Sequence, residues 1–337
     1  PNLFQLATKE LAQDGFLVWL LQWADESNKQ YDPQLNECAA FFVKMLLQKQ
    51  VPAAEKIHTV TAGRKGLLKN VDVWAVINQQ YLLVIEDKTV TERHSNQLAI
   101  YKKEAEALCA AKNWKPVYIY LKTGAEAQAS LREIEQQEGY HCVTRAELMG
   151  WLGKFQVRNP IFTDFYDYLC QQEMAEQAFE TRPLNQWDAA CWRGFYQFLE
   201  TQLPEEVSSW RYVANRAGGF WGCWFHSRAC NGYQIYLQVE QAKLCIKLEI
   251  PSDSPQRDKC SRESWQNILK LKAEKQLPEI IKPQKLSNKG TWRTVALIRA
   301  EDWLGKPGEV LNKQQVVENI KKYLSFIREY ARRTDDK

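Results

Sequence analysis

The sequence predicts an α/β chain in two parts. The first has the element order α-β-β-β-α-β, with a mixed central sheet flanked by helices. The second is an α+β part with an antiparallel sheet. Three observations carry this. Apolar residues recur at helical spacing before residue 50. Two adjacent runs, Val71–Ile77 and Tyr81–Ile85, are apolar on both faces, which places their hairpin in the interior under helices. Past residue 200, three strand-like runs are joined by short links. A length of 337 residues has room for two domains.

In order, Thr8–Trp23 reads as an amphipathic helix. Asp32-Pro33 marks a new start, and Leu35–Gln50 is a second helix that ends before Pro52. Strands are expected at Ile57–Ala62, Val71–Ile77 and Tyr81–Ile85. A helix follows over Glu92–Lys112, then a strand at Val117–Leu121, a helix over Glu126–Gln137, a strand at Tyr140–Val143 and a helix from Arg145. The texture changes near Gly150–Pro160, which divides the chain into 1–155 and 156–337. Helices are then expected at Ile161–Phe179 and Trp187–Leu203. Strands follow at Phe220–His226, Tyr233–Glu240 and Lys243–Ile250, where Asn231-Gly232 and Gln241-Ala242 suit a meander. A helix over Arg257–Lys275, a strand at Thr291–Ile298 and a helix over Lys313–Arg332 complete the chain.

Composition excludes several classes. With 45% hydrophobic and 26% charged residues, the chain is neither disordered nor collagenous as a whole. No apolar run approaches the ~18–20 residues of a bilayer span, and no leader pattern is visible at the start. No membrane association is expected. Nine cysteines without a C-x-x-C pair suggest reduced thiols in a cytoplasmic protein rather than a disulfide framework. Cys223 and Cys230 flank His226, but no fourth ligand stands at zinc-site spacing.

The chemistry concentrates in the central hairpin. If its turn is Asn78-Gln79-Gln80, Ile77 pairs with Tyr81 and Asp72 falls opposite Glu86. Side chains alternate along a strand, so Lys88 shares the Glu86 face with Trp74, Val76, Leu82 and Val84, while Asp87 points away. Two carboxylates and an ammonium then converge at one end of an apolar face. Carboxylates this close repel each other, and a divalent cation relieves the repulsion. Hard oxygen donors without a His or Cys cluster point to Mg²⁺, with Mn²⁺ able to substitute. The ammonium of Lys88 can orient or activate a water, or stabilise charge developing on a phosphoryl oxygen.

These residues resemble a family. Asp72, a hairpin, then Glu86-Asp87-Lys88 is similar to the PD-(D/E)XK nuclease superfamily, with Val71 standing where the name motif has proline. The resemblance covers roughly residues 1–150. Gln97-Leu98-Ala99-Ile100-Tyr101 resembles the Q-x-x-x-Y element found in one branch, with Gln97 and Tyr101 on one helix face. The resemblance implies a Mg²⁺-dependent endonuclease or exonuclease, a hydrolase of phosphodiester bonds in DNA, in phage defence or mobile-element biology. It implies catalytic roles for Asp72, Glu86, Lys88, Gln97 and Tyr101, and Asp72 and Glu86 as metal ligands. The superfamily adds an acid on the first helix. Glu10 and Asp14, one turn apart, are the candidates, and Glu10 is favoured by position.

Other features leave two readings each. Residues 1–150 hold 17 Lys+Arg against 18 Asp+Glu, and the remainder 28 against 23. The second half is thus either ordinary solvated surface or a holder of a polyanion. Gly63-Arg64-Lys65-Gly66 lacks the ending of a phosphate-binding loop and reads as a basic hairpin tip. Arg64, Lys69, Lys102 and Lys103 are candidate nucleic-acid contacts, and His94 could reach phosphate. The cluster Phe220-Trp221-Gly222-Cys223-Trp224-Phe225 beside Arg211, Arg216 and Arg228 either stacks bases or forms the core of a small sheet. The competing functions are a nucleic-acid-binding or sensing protein on a nuclease-like scaffold, and an interaction subunit that recruits a partner, or a second copy, through its C-terminal half.

Overall fold

The computed structural model describes residues 2–7, 9–52, 56–89, 96–215, 218–254 and 257–335. Two units divide it, 1–126 with 130–174, and 127–129 with 175–337.

In the first unit, helices α1 (Leu3–Leu6), α2 (Glu10–Trp23) and α3 (Pro33–Gln48) precede strands β1 (Val60–Gly63), β2 (Val73–Ile77) and β3 (Tyr81–Lys88). Helix α3 begins as its sequence dictates: the Asp32 carboxylate accepts from the Leu35 N–H at 3.0 Å, and Pro33 opens the first turn. Then come α4 (Gln97–Lys112), β4 (Lys115–Lys122), α5 (Gln128–Glu133), β5 (His141–Thr144), α6 (Arg145–Leu152) and α7 (Pro160–Gln177). Strands β1 to β5 form one sheet in chain order, antiparallel through β3 and parallel from β3 to β5. Both faces are covered. Residues of α2, α3, α6 and α7 pack on Val73, Ala75, Leu83 and Ile85, while Leu98, Tyr101 and Ala105 of α4 pack on Val76, Leu82 and Val84.

The hairpin register is the predicted one, Val73↔Ile85 through Ile77↔Tyr81. Asn78 and Gln79 both take positive φ, at 51° and 53°, and the Gln80 N–H donates to the Ile77 carbonyl at 3.0 Å. Asparagine tolerates that conformation better than most residues. Here its Oδ1 also accepts from the His58 and Thr59 N–H groups, which fastens the turn to the β1 segment.

The unit boundary lies at 174 rather than 155. Phe162, Phe165 and Leu169 of α7 belong to the first core, and the Phe165 ring stacks on Phe16 with centroids 3.8 Å apart. The second unit holds α8 (Ala189–Gln202), β6 (Val207–Val213), β7 (Phe220–Phe225), β8 (Arg228–Cys230), β9 (Tyr233–Glu240), β10 (Lys243–Glu249), α9 (Arg257–Glu274), β11 (Ile280–Ile281), β12 (Trp292–Ile298), α10 (Ala300–Trp303) and α11 (Lys313–Asp335). Its seven strands are antiparallel, in the order β11-β12-β10-β9-β7-β6, with β8 beside β9. Strand β6 escapes sequence reading because it is an edge, and its Ser208, Ser209, Arg211 and Tyr212 break the apolar alternation. No disulfide joins the cysteines among the described residues. No helix among the described residues is long and apolar enough to cross a membrane.

Phe165→Ala should lower the unfolding free energy by about 3–5 kcal/mol, the usual cost of emptying a buried phenylalanine site. Met174→Ala, at a residue 69% exposed near the end of the same helix, should stay within about 0.5 kcal/mol. Urea titrations followed by circular dichroism test both, and equal effects would place α7 outside the first core.

Candidate active site

Strand β3 is buried along its whole length, including Glu86, Asp87 and Lys88. Register and alternation send Glu86 and Lys88 to the α4 side of the sheet and Asp87 to the α2 side. Asp72 precedes β2 at the position that continues the register opposite Glu86, and its Oδ2 accepts from the Asp87 N–H at 3.4 Å.

Three carboxylates converge on one ammonium. Lys88 Nζ lies 2.6 Å from Glu86, 3.7 Å from Asp72 and 3.8 Å from Glu10. Glu10 gets there as the first residue of α2, where its Oε1 also accepts from the Thr89 N–H at 3.2 Å. Glu86 forms the floor with no side-chain exposure, and Asp72 and Glu10, at 27% and 30%, form the mouth. Neither Glu86 oxygen has a well-directed hydrogen bond, and Oε2 has no hydrogen-bond partner among the described residues. Burial, then the charge of Asp72, pushes Glu86 up to about 8. Burial works to lower Lys88, but contact with Glu86 and the charges of Glu86, Asp72 and Glu10 outweigh it and hold the ammonium at about 12.

Gln97 and Tyr101 reach the same side. Gln97 Nε2 donates to the Tyr101 hydroxyl at 2.5 Å, and the Gln97 carbonyl oxygen is buried without a partner. Burial first, eased by Gln97 and reinforced by Glu86 and Asp72, pushes the Tyr101 phenol up to about 12.

The other face carries polar groups of its own. Asp87 Oδ1 accepts from Gln13 Nε2 at 2.5 Å, and Gln13 Oε1 accepts from the Thr123 hydroxyl at 2.9 Å. Asp14 turns to Arg64, 3.0 Å away, so of the two helical acids it is Glu10 that meets Lys88. Burial, then Asp72, raises Asp14 to about 6 despite Arg64.

Several expected nucleic-acid contacts take other roles. Arg64 is committed to Asp14 rather than standing free at a basic tip. Gly63 is a packing glycine, since a Cβ there would come within 2.7 Å of the Trp74 indole. Lys102 donates to the Glu138 carbonyl and lies over the Tyr118 ring. Arg228 is held by Glu206 at 3.1 Å and by the His226 and Ser227 carbonyls. Lys69 and Lys103 are exposed, as is Arg211. His94 and Arg216 lie outside the described residues.

Sequence reading missed Lys122 and Glu126. The parallel ladder sets Tyr120 beside Glu86 and Lys122 beside Lys88, and Glu126 Oε2 lies 3.1 Å from the Lys122 ammonium. The available signal was the period-two run Tyr118, Tyr120, Lys122 on one strand face with an acid four residues on.

Among the described residues, no group of three His, Cys, Asp or Glu side chains is spaced to hold a metal ion. The donor chemistry does fit a hard divalent cation: oxygens only, converging, with Glu86 unsatisfied. In this structure, the cation at their convergence is Lys88. Comparisons with protein-family models, curated proteins and solved structures found no match.

Because its folded-state pKa is raised, Glu86 adds stability in its protonated form below about pH 4.5, and that contribution is lost as pH rises through about 8. Glu86→Gln keeps the neutral shape. Between pH 5 and 8 its unfolding free energy should therefore gain on the wild type by about 1–3 kcal/mol. Parallel stability curves in paired urea titrations would remove Glu86 as the buried titrating acid.

Proposed function

We propose that the chain is a metal-dependent nuclease, with a restriction-endonuclease-like core in its first unit, that hydrolyses phosphodiester bonds, in DNA by preference. One observation carries the reading: Glu10, Asp72 and Glu86 meet Lys88 within 3.8 Å at the end of a sheet face that is otherwise apolar. Asp72, Glu86 and Glu10 would hold Mg²⁺, or Mn²⁺ in its place. When bound, the ion supplies charge neutralisation at the phosphoryl oxygens and lowers the pKa of a coordinated water.

The remaining roles belong to the chain. Lys88, an ammonium at neutral pH, is suited to stabilise the developing anion and to orient the attacking water rather than to accept a proton. The water oxygen attacks phosphorus, the opposite P–O ester bond breaks in line, and the products are a phosphate monoester and an alcohol. Gln97 and Tyr101, joined to each other, present an amide and a phenol at the same face to position a phosphate or the acids. Glu126 neutralises Lys122 beside Lys88, which keeps the second lysine from competing for Glu86.

Linear DNA, circular DNA and RNA, each incubated with Mg²⁺, Mn²⁺ or EDTA, provide the test. Cleavage should need the metal. Glu86→Gln and Lys88→Ala should each lower the rate by about 100-fold or more with circular dichroism unchanged. Binding without cleavage of any substrate would favour the sensing reading, and an unimpaired Glu86→Gln enzyme would dismiss this site.

A further inference from the structure

Among the described residues, the second unit's sheet has one face on which no helix packs. Its helices pack on the other: Tyr196 of α8 lies against Trp210, Ser264 of α9 donates to the Tyr233 hydroxyl, which in turn bonds Tyr330 of α11, and Trp303 of α10 meets Phe195 of α8. Strand pairing shows what the bare face carries. Arg211 pairs with Gly222, Val213 with Phe220, Trp224 with Gln238, Tyr236 with Lys247, and Glu249 with Trp292, so these ten residues share one side of the sheet. Together they line a groove of about 540 Å³, Gly222 alone falling outside its lining.

We infer that this groove binds single-stranded nucleic acid by stacking bases on Phe220, Trp224 and Trp292. The inference takes its ligand class from the nuclease reading and adds a site in the other unit. Trp292 is 67% exposed and Phe220 and Trp224 are half-buried, a costly set of rings to leave wet on one face, with the buried Tyr236 beneath them. Flat rings flanked by cations suit bases with their phosphates. The exposed Arg211 guanidinium already lies over the Trp224 ring, 5.6 Å from its centroid, which shows that the face accepts a planar π partner. Val213 is the one aliphatic residue in the lining, which disfavours an apolar helix.

The charges define the mode further. Lys247 is paired with Glu240 at 2.9 Å, and the Glu249 carboxylate lines the groove. The face is therefore nearly neutral, unlike a surface that grips duplex backbone. Gln238 and Glu249 offer acceptors to base amino groups. Stacking should dominate, with single strands preferred to duplex and only a shallow dependence on salt.

The full-length protein in EDTA, where a metal-dependent enzyme cannot cut, is titrated against a fluorescent single-stranded DNA oligonucleotide and its duplex, with anisotropy as readout. The single strand should bind more tightly, and Trp224→Ala and Trp292→Ala should each weaken it by about 5- to 150-fold. Trp292 is too exposed for its loss to threaten the fold, so that variant stays informative if Trp224→Ala unfolds. No binding by the wild type, equal binding of duplex, or unchanged affinity in Trp292→Ala would overturn the inference. So would a switch from dimer to monomer in the Trp variants without loss of DNA affinity, which would make the face a contact between copies. Cleavage by wild type in Mg²⁺ is scored separately. Lost cleavage with Trp292-dependent binding sinks the nuclease reading alone, and intact cleavage with Trp292-independent binding sinks this one alone.

Discussion

The first unit is organised around three consecutive charged residues buried on one central strand. Glu86 and Asp87 have no exposure and Lys88 has 4%, yet alternation sends them to two sides of the sheet. Each side must answer the charge it receives, because an unpaired buried charge costs several kcal/mol. On the α4 side the answer is Lys88 itself, shared with Asp72 and Glu10. On the α2 side burial pushes the Asp87 carboxyl well up toward its neutral form, Gln13 donates to one of its oxygens, and Arg64 pairs with Asp14. Helix α2 is thus tied to the sheet by polar contacts at its start and by Phe16, Leu17 and Leu20 further on.

That arrangement depends on one turn. A two-residue loop in place of Asn78-Gln79-Gln80 would shift the pairing and move Asp72 away from Glu86. The polar triplet between two apolar runs made the register legible in the sequence, and the alternation rule then fixed the directions of Glu86, Asp87 and Lys88. Glu10 was legible only as one of two acids a turn apart. What separates them is the three-dimensional neighbour each meets, Lys88 for Glu10 and Arg64 for Asp14, and no spacing in the chain encodes that. Arg64, Lys102 and Arg228 show the same limit. A basic residue looks free in a sequence until the acid or carbonyl that holds it is known.

The aromatic cluster of β7 shows a different kind of ambiguity. Six residues from Phe220 to Phe225 read equally well as a base-stacking surface or as core, and alternation divides them between the two faces of the sheet. Trp221 and Cys223 fall on the helix-covered side with Trp210, while Phe220 and Trp224 fall on the other side with Arg211. A strand with large apolar groups on both faces normally lies between two layers. Among the described residues only one layer of helices belongs to the unit, so the second set of rings needs a different explanation from the first. The boundary at 174 was hidden for a related reason: α7 continues past the point where its packing in the first core stops, and helical periodicity does not mark a change of neighbour.

The acidic cluster is hard to explain as a stabilising device. A buried ion pair contributes little net stability, and well-packed apolar residues of similar volume commonly do as well or better. Strand β3 already alternates Leu82, Val84, Leu83 and Ile85 into two closed cores, so continuing that pattern through 86 to 88 would complete the sheet at lower electrostatic cost. Instead, Glu86 is held with an unbonded oxygen and a carboxyl pushed up toward neutrality, next to a lysine that is also pushed up and so stays charged. A near-neutral acid beside a fixed cation at the open end of a closed face is a perturbed pair of the kind that functional sites collect. Asp72 and Glu10 reinforce this, since both remain about a quarter to a third exposed and leave the cluster open to a ligand from solvent. Burial of the strand makes these charges costly, and the same burial would make them effective on a phosphate brought to the mouth of the site, where little water competes for their field.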